Sequence, residues 1–130
     1  MLKKFSLLVS VFYTIMLSAL SLMKLKDVVK DLPSFNDKVG HVLAHFLFVI
    51  LWFVVFHYKF SFKYSKALSL AALFSLVYGI AIELLQGWIT VSRESDFKDV
   101  LANVLGMVFA SLLLLSIKKR AIKKNNSLLF

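Results

Sequence analysis

Apolar residues fall into four long runs along the chain, separated by short segments that hold most of the charged residues. The runs cover about residues 5–23, 39–58, 67–90 and 98–117. Each is close to or above the roughly 18–20 residues that a helix needs to cross about 30 Å of hydrocarbon. None alternates apolar and polar residues, and helices satisfy their own backbone hydrogen bonds in lipid. The pattern predicts an all-α fold in one membrane domain, 1–130, a bundle of four transmembrane helices.

Composition supports a membrane protein and excludes some chemistry. The 130 residues are 60% hydrophobic with a mean hydropathy of +0.83, whereas an ordinary soluble domain is roughly half apolar. The chain is too short for two independent domains. It contains no cysteine, which excludes disulfides, thiolate nucleophiles and thiolate metal ligands.

The net charge of +9 reflects basic residues that lie just outside the apolar runs. This is the membrane pattern, so we expect no nucleic-acid partner. If the N-terminus is inside, ten lysines and arginines lie on inner segments and six on outer segments. The positive-inside rule then places both termini in the cytoplasm. The basic tail, 118–130, is expected to lie against anionic lipid headgroups without fixed structure.

The first run follows Lys3 and Lys4 and could be mistaken for a signal peptide. It is long and shows no clear small-residue cleavage site, so we interpret it as a retained helix. Four small polar residues recur along it at helical spacing and predict a face that packs against neighbouring helices. They are Ser10, Thr14, Ser18 and Ser21.

Ten polar or ionisable residues lie inside or at the ends of the apolar runs. They are Asp37, Lys38, His41, His45, Glu83, Gln86, Arg93, Asp96, Asp99 and Asn103. Such residues are costly in hydrocarbon and mark a functional site by default. Antiparallel threading brings the start of the second helix, the end of the third and the start of the fourth to one side of the membrane, where all ten lie.

Helical spacing also places these residues on common faces. The three stripes are Asp37, His41 and His45; Gly79, Glu83 and Gln86; and Asp96, Asp99, Asn103, Gly106 and Ala110. At about 1.5 Å per residue, His45 lies roughly 12 Å from Asp37 along the axis, and Glu83 roughly 10 Å from the end of its helix. These depths predict one outward-facing pocket, with small residues that allow close helix contact.

The chemistry of the ten residues suggests roles for each. Glu83, His41, Asp99 and Arg93 are the candidate catalytic residues, and Asp37, Lys38, Gln86, Asp96, Asn103 and His45 are the candidate substrate-binding residues. Glu83 or His41 would act as general base or acid, and Arg93 and Lys38 would hold an anionic group. Asp96 and Asp99 could bind a divalent ion, and a His/Glu/Asp zinc site is conceivable. Spacing alone assigns no metal or cofactor.

Three stretches carry a resemblance to the VanZ-like family of membrane proteins. They are FNDKVGH, with Asp37, Lys38 and His41; YGIAIELLQ, with Gly79, Glu83 and Gln86; and SRESDFKDVLANVLG, with Arg93, Asp96, Asp99, Asn103 and Gly106. The resemblance covers about residues 5–117. It implies a bacterial plasma-membrane protein and a link to resistance against teicoplanin, a lipid-tailed glycopeptide. The family often has an aromatic hydroxyl at the position of His45, which argues against a metal site built on His41 and His45 together.

Three functions remain open from the sequence. The first is an enzyme that acts on a lipid-linked or amphiphilic cell-envelope molecule. The second is a binding or small transporter component, which would have to form a homodimer because four helices are too few for an inverted-repeat carrier. The third is a scaffold whose polar residues only lock helix packing. As an alternative to a role in the site, Asp37 and Lys38 could serve only to cap the second helix and to anchor it at the membrane interface.

Overall fold

Four long helices form the part of the chain that the structure describes. The computed structural model covers residues 2–23, 37–89 and 96–128. Its helices are α1 (Leu2–Leu22), α2 (Asp37–Val54), α3 (Tyr64–Ile89) and α4 (Phe97–Ser127), and α2 continues through a π-helical turn, Val55–Lys59. These described ranges contain no strand. All four helices are long and apolar enough to span a membrane, which confirms the predicted all-α architecture.

Helix α2 lies at the centre of the bundle and packs against α1, α3 and α4. Its Phe48 and Val49 side chains are fully buried. Around them, large aromatic residues of α2 meet small residues of the neighbouring helices. The buried core cluster comprises Val49, Phe53, Ala67, Leu68, Ala71, Ala110 and Leu114. This alternation of large and small side chains lets the helices approach closely, as in other membrane bundles.

Large apolar side chains cover the outside of the bundle. Phe5, Leu8 and Phe12 of α1 are more than half exposed, as are Leu73 of α3 and Leu112 of α4. Lipid chains solvate such surfaces as well as a protein core does. The exposed apolar surface therefore agrees with a protein that is embedded in a bilayer.

Helix α1 is attached to the bundle through its polar face. The Ser10 hydroxyl donates to the Leu51 carbonyl (3.2 Å), and the Trp52 indole N–H donates to the Thr14 hydroxyl (3.1 Å). The Ser18 and Tyr78 hydroxyls lie 2.9 Å apart. Interhelical hydrogen bonds of this kind contribute about 0.6–2 kcal/mol each in membranes. The predicted packing role of this face is confirmed.

Helix α4 corrects one prediction. The basic tail was expected to lack fixed structure after residue 117, but α4 continues to Ser127. Lysine, arginine and alanine are good helix formers, and cations near a helix C-terminus interact favourably with its dipole. In addition, the Lys118 ammonium lies 5.3 Å from the centre of the Tyr64 ring, which links the start of the tail to α3.

Gly106 marks the closest approach between α2 and α4. A Cβ atom at this position would lie 3.0 Å from the Phe46 amide nitrogen and closer still to the Val42 carbonyl oxygen. Both neighbours are backbone atoms and cannot rotate away. Gly40 on α2 differs, because an added Cβ would meet nothing within 4 Å.

Gly106→Ala is therefore expected to destabilise the bundle by about 1–3 kcal/mol, the usual cost of overpacking. Thermal unfolding of the purified variant in detergent measures this. Gly40→Ala is the matched control and should unfold at or slightly above the wild-type temperature, because alanine is a better helix former than glycine. Equal unfolding temperatures for all three proteins would contradict the close contact.

Candidate functional site

Ion pairs join the starts of α2 and α4. The Lys38 ammonium donates to Asp96 Oδ2 at 2.8 Å and also binds Asp99 Oδ1. Asp96 is exposed and caps α4, where its carboxylate accepts the Lys98 backbone N–H at 2.9 Å. Asp99, one turn further on, is only 7% exposed. The exposed Asp96 carboxylate and the buried Asp99 carboxylate thus bind the same ammonium group.

The pH dependence of the outer ion pair has a clear sign. Hydrogen bonds from the Lys38 side chain and the Lys98 amide hold the pKa of Asp96 below its usual value of 3.8. A carboxyl with a lowered pKa stabilises the folded state above its unfolded pKa. The contribution is lost as the pH falls from 3.8, the usual pKa, through the lower pKa that Asp96 has in the folded protein. The pair is therefore intact at neutral pH.

His41 lies one turn below Lys38 and contacts α4 through both ring nitrogens. Its Nδ1 lies 2.9 Å from Asn103 Oδ1. An amide oxygen only accepts, so Nδ1 carries the proton in this arrangement. Nε2 lies 3.7 Å from Asp99 Oδ2. The ring is thereby fixed in orientation between a buried amide and a buried carboxylate.

His45 continues the polar face of α2 into the bundle. It is 4% exposed, and its Nδ1 lies 2.8 Å from the Ser75 hydroxyl of α3. Gly79 on α3 faces the same place, because an added Cβ would lie 2.9 Å from His45 Cε1 and 3.0 Å from Asn103 Nδ2. Helices α2, α3 and α4 therefore meet at this glycine.

The polar face of α3 continues from Gly79 with two buried residues. Glu83 is 3% exposed and Gln86 is 5% exposed. The Gln86 side-chain amide donates to the Ser21 carbonyl of α1 at 2.5 Å. The structure thus places both residues in the interior, as their helical spacing predicted.

A cavity of about 360 Å³ opens between α1, α2 and α3 at this end of the bundle. It is lined by Tyr13, Met16, Leu17, Leu20, Ser21, Asp37, Gly40, His41, Ala44 and Gln86. Helix α1 supplies mainly apolar side chains, whereas α2 and α3 supply a carboxylate, an imidazole and an amide. The volume lies within the range of small-molecule sites. Asp37, His41 and Asp99 also offer ligand atoms that lie within 4.8 Å of one another, suitable for a metal ion.

Nine of the ten residues singled out from the sequence lie within the described part of the chain, and Arg93 lies outside it. The structure brings Lys38, Asp96 and Asp99 together, and joins His41 to Asn103. Asp37, His41 and Gln86 line one cavity. His45 and Glu83 are buried deeper in the bundle.

Sequence reasoning missed two contributions to the site. Ser75, the partner of His45, lies four residues before Gly79, so extending the α3 stripe by one turn would have found it. The α1 wall of the cavity was also missed. This wall follows helical i, i+3, i+4, i+7 spacing beside the packing face, with Tyr13, Met16, Leu17 and Leu20. Apolar residues of a membrane helix, however, carry no sequence signal that separates a cavity wall from a lipid contact.

Asp96 and Asp99 form a matched pair for mutation, because both bind Lys38. Asp99→Asn should destabilise the protein by about 1–3 kcal/mol, since it removes a buried charged acceptor. Asp96→Asn should leave the unfolding temperature nearly unchanged, because the exposed pair contributes little and asparagine also caps helices. Thermal unfolding in detergent compares them. Similar losses in the two variants would contradict the difference in burial.

Comparison with known proteins identifies the family of the chain. No curated protein and no solved structure matches the chain. A family model described as VanZ/LLP1 matches residues 3–118, a range that includes the three motif stretches and every residue of the site described above. The chain therefore belongs to the VanZ/LLP1 family.

Proposed function

We propose that this membrane protein binds an amphiphilic cell-envelope molecule, with the polar head of that molecule in the cavity between α1, α2 and α3. The observation that carries the proposal is the two-sided lining of the cavity. Met16, Leu17 and Leu20 form an apolar wall, and Asp37, His41 and Gln86 supply hydrogen-bonding groups. An amphiphile fits both sides of this lining, because its apolar part can contact the apolar wall while its polar head binds the hydrogen-bonding groups.

A cavity argues against a purely structural role for the polar residues. Side chains that only lock helix packing need partners across the interface, and His45 with Ser75 is such a pair. His41 and Gln86 also have partners on other helices, Asn103 and Ser21. Unlike His45, however, Asp37, His41 and Gln86 border open volume as well. Groups that converge on a pocket of this size fit the general description of a ligand site.

The fixed orientation of His41 favours a second function, acid–base chemistry on the bound molecule. His41 lines the cavity, and Asn103 holds its Nδ1. A general base needs this kind of positioning within reach of the substrate. Glu83, buried at the same end of the bundle, is the second candidate acid or base.

We place the cavity on the outer side of the plasma membrane, with both termini in the cytoplasm. The distribution of lysines and arginines supports this orientation, with ten on one side and six on the other. An outward-facing site would meet lipid-linked envelope intermediates or lipid-tailed antibiotics. Teicoplanin, which the family resemblance suggests, is therefore a suitable probe.

Topology can be measured without background labelling, because the chain has no cysteine. Cysteine at Lys98, exposed beside the site, should react in intact cells with a maleimide that does not cross membranes. Cysteine at Lys63, exposed between α2 and α3, should react only after lysis. The reverse pattern would place the cavity in the cytoplasm.

Ligand binding can be tested by mass spectrometry of amphiphiles that remain bound to the purified protein, and by titration with teicoplanin. His41→Ala and Gln86→Ala should weaken binding at least tenfold, because each removes a polar group that lines the cavity. His57→Ala is the matched control, because His57 lies at the opposite end of α2. It should bind as the wild type does.

The same samples separate the remaining functions. A product that forms with wild-type protein but not with Glu83→Gln would demonstrate chemistry, whereas an unchanged bound amphiphile would demonstrate binding alone. If His41→Ala and Glu83→Gln instead fail to insert or unfold at much lower temperature, the polar residues serve as a scaffold.

A further inference from the structure

We propose that Asp37, His41 and Asp99 form a binding site for a divalent metal ion, with Zn²⁺ as the preferred ion. The three residues come from the first two turns of α2 and the first turn of α4. Asp37 and His41 also line the cavity. Carboxylate oxygens and an imidazole nitrogen are ordinary zinc ligands, and three protein ligands with one open position are typical of sites that act on a bound molecule.

The distances fit one ion. Two ligand atoms that each lie about 2.1 Å from a tetrahedral zinc ion are roughly 3.4 Å apart. His41 Nε2 and Asp99 Oδ2 lie 3.7 Å apart, which is close to that separation. The whole set lies within 4.8 Å, so the widest pair must close by up to about 1.4 Å around an ion. Asp37 lies exposed in the first turn of α2.

The orientation of His41 is the strongest argument for the site. Nδ1 lies 2.9 Å from Asn103 Oδ1, and Nε2 faces Asp99 Oδ2 at 3.7 Å. The second distance is too long for a hydrogen bond, but it is close to the roughly 3.4 Å that separates two ligand atoms on one tetrahedral zinc ion. Metal-bound histidines usually donate their other N–H to an oxygen acceptor, which fixes the ring. Asn103 provides that acceptor here.

Lys38 does not occupy the same position. It binds the other carboxylate oxygen of Asp99, Oδ1, and extends towards Asp96. The Asp99 carboxylate can therefore bind the ammonium through one oxygen and an ion through the second. The ammonium nevertheless repels a nearby divalent ion, which makes a distinctive test possible.

A bound ion would also offer the cavity an open coordination position, and this part of the inference rests on the proposed function. The described residues that line the cavity include no lysine or arginine. An ion held by Asp37 and His41 would attract an oxyanion, such as a phosphate or carboxylate of the bound head, through its open coordination position. An amphiphile with an anionic head is then the expected class of ligand.

The test is metal analysis of the full-length protein, purified in detergent through a tag without histidines. Calorimetric titration with Zn²⁺, together with elemental analysis, should show about one ion per chain. His41→Ala and Asp99→Asn should lower the affinity at least tenfold, and Asn103→Leu should also lower it, because loss of such a supporting hydrogen bond typically costs 10–100-fold. His57→Ala should bind as the wild type does.

The Lys38→Met variant distinguishes a direct effect on zinc affinity from damage to the fold. Removing a positive charge a few ångströms from a divalent ion should tighten zinc binding by about tenfold. Damage to the fold would separate the three ligands, so tighter binding by a variant that unfolds at the wild-type temperature indicates loss of the ammonium's repulsion. Absence of zinc binding by folded wild-type protein, or equal binding by His41→Ala, would overturn the inference.

Gln86→Ala keeps this inference separable from the proposed function. The glutamine contacts the cavity but is not among the three ligands. The variant should retain zinc while losing amphiphile. If folded wild-type protein binds amphiphile but takes up no zinc, the metal site alone is wrong. If it binds zinc but neither lipid extract nor teicoplanin, the proposed function alone is wrong.

Discussion

A polar side chain inside hydrocarbon needs a partner, and the rest of this structure follows from that requirement. Unpaired polar groups cost several kcal/mol in an apolar environment. The described polar residues meet the constraint collectively at one end of α2, α3 and α4, where Lys38 binds two carboxylates, His41 binds Asn103 and His45 binds Ser75. Around the middle of α2, aromatic residues and alanines fill the interior instead. The buried polar pairs among α2, α3 and α4 therefore gather at one end of these helices, next to an apolar core.

Close helix contact is what makes these pairings possible. Side-chain hydrogen bonds between helices require backbones that approach within the reach of short residues such as Asp, Asn and Ser. Gly106 provides this approach between α2 and α4, and Gly79 provides it where α3 faces His45 and Asn103. Each glycine lies within one turn of a polar residue of the site. The glycines and the polar residues of the motifs thus form one structural unit.

The sequence predicted the features that depend on periodicity and hydropathy. These include the four helices, the polar stripes and their meeting at one end, because a helix of 3.6 residues per turn determines which side chains share a face. The individual pairings were not predictable. Whether Lys38 binds Asp96, Asp99 or both depends on the rotation and height of α2 relative to α4, which many packing contacts determine together. The helical tail was missed because charge composition alone does not separate a solvated helix from a disordered segment.

Helix α1 illustrates how packing and function are coupled. Its polar face attaches it to the bundle, and its adjacent apolar face closes the cavity. Gln86 takes part in both, because its amide binds the Ser21 carbonyl and its side chain lines the cavity. Tyr13 also takes part in both, because it lines the cavity and its hydroxyl donates to the Ala44 carbonyl of α2 at 2.8 Å. A molecule that enters the cavity must therefore contact the residues that hold α1 in place. A ligand would stabilise this position of α1 only to the extent that it binds the present arrangement more tightly than another one.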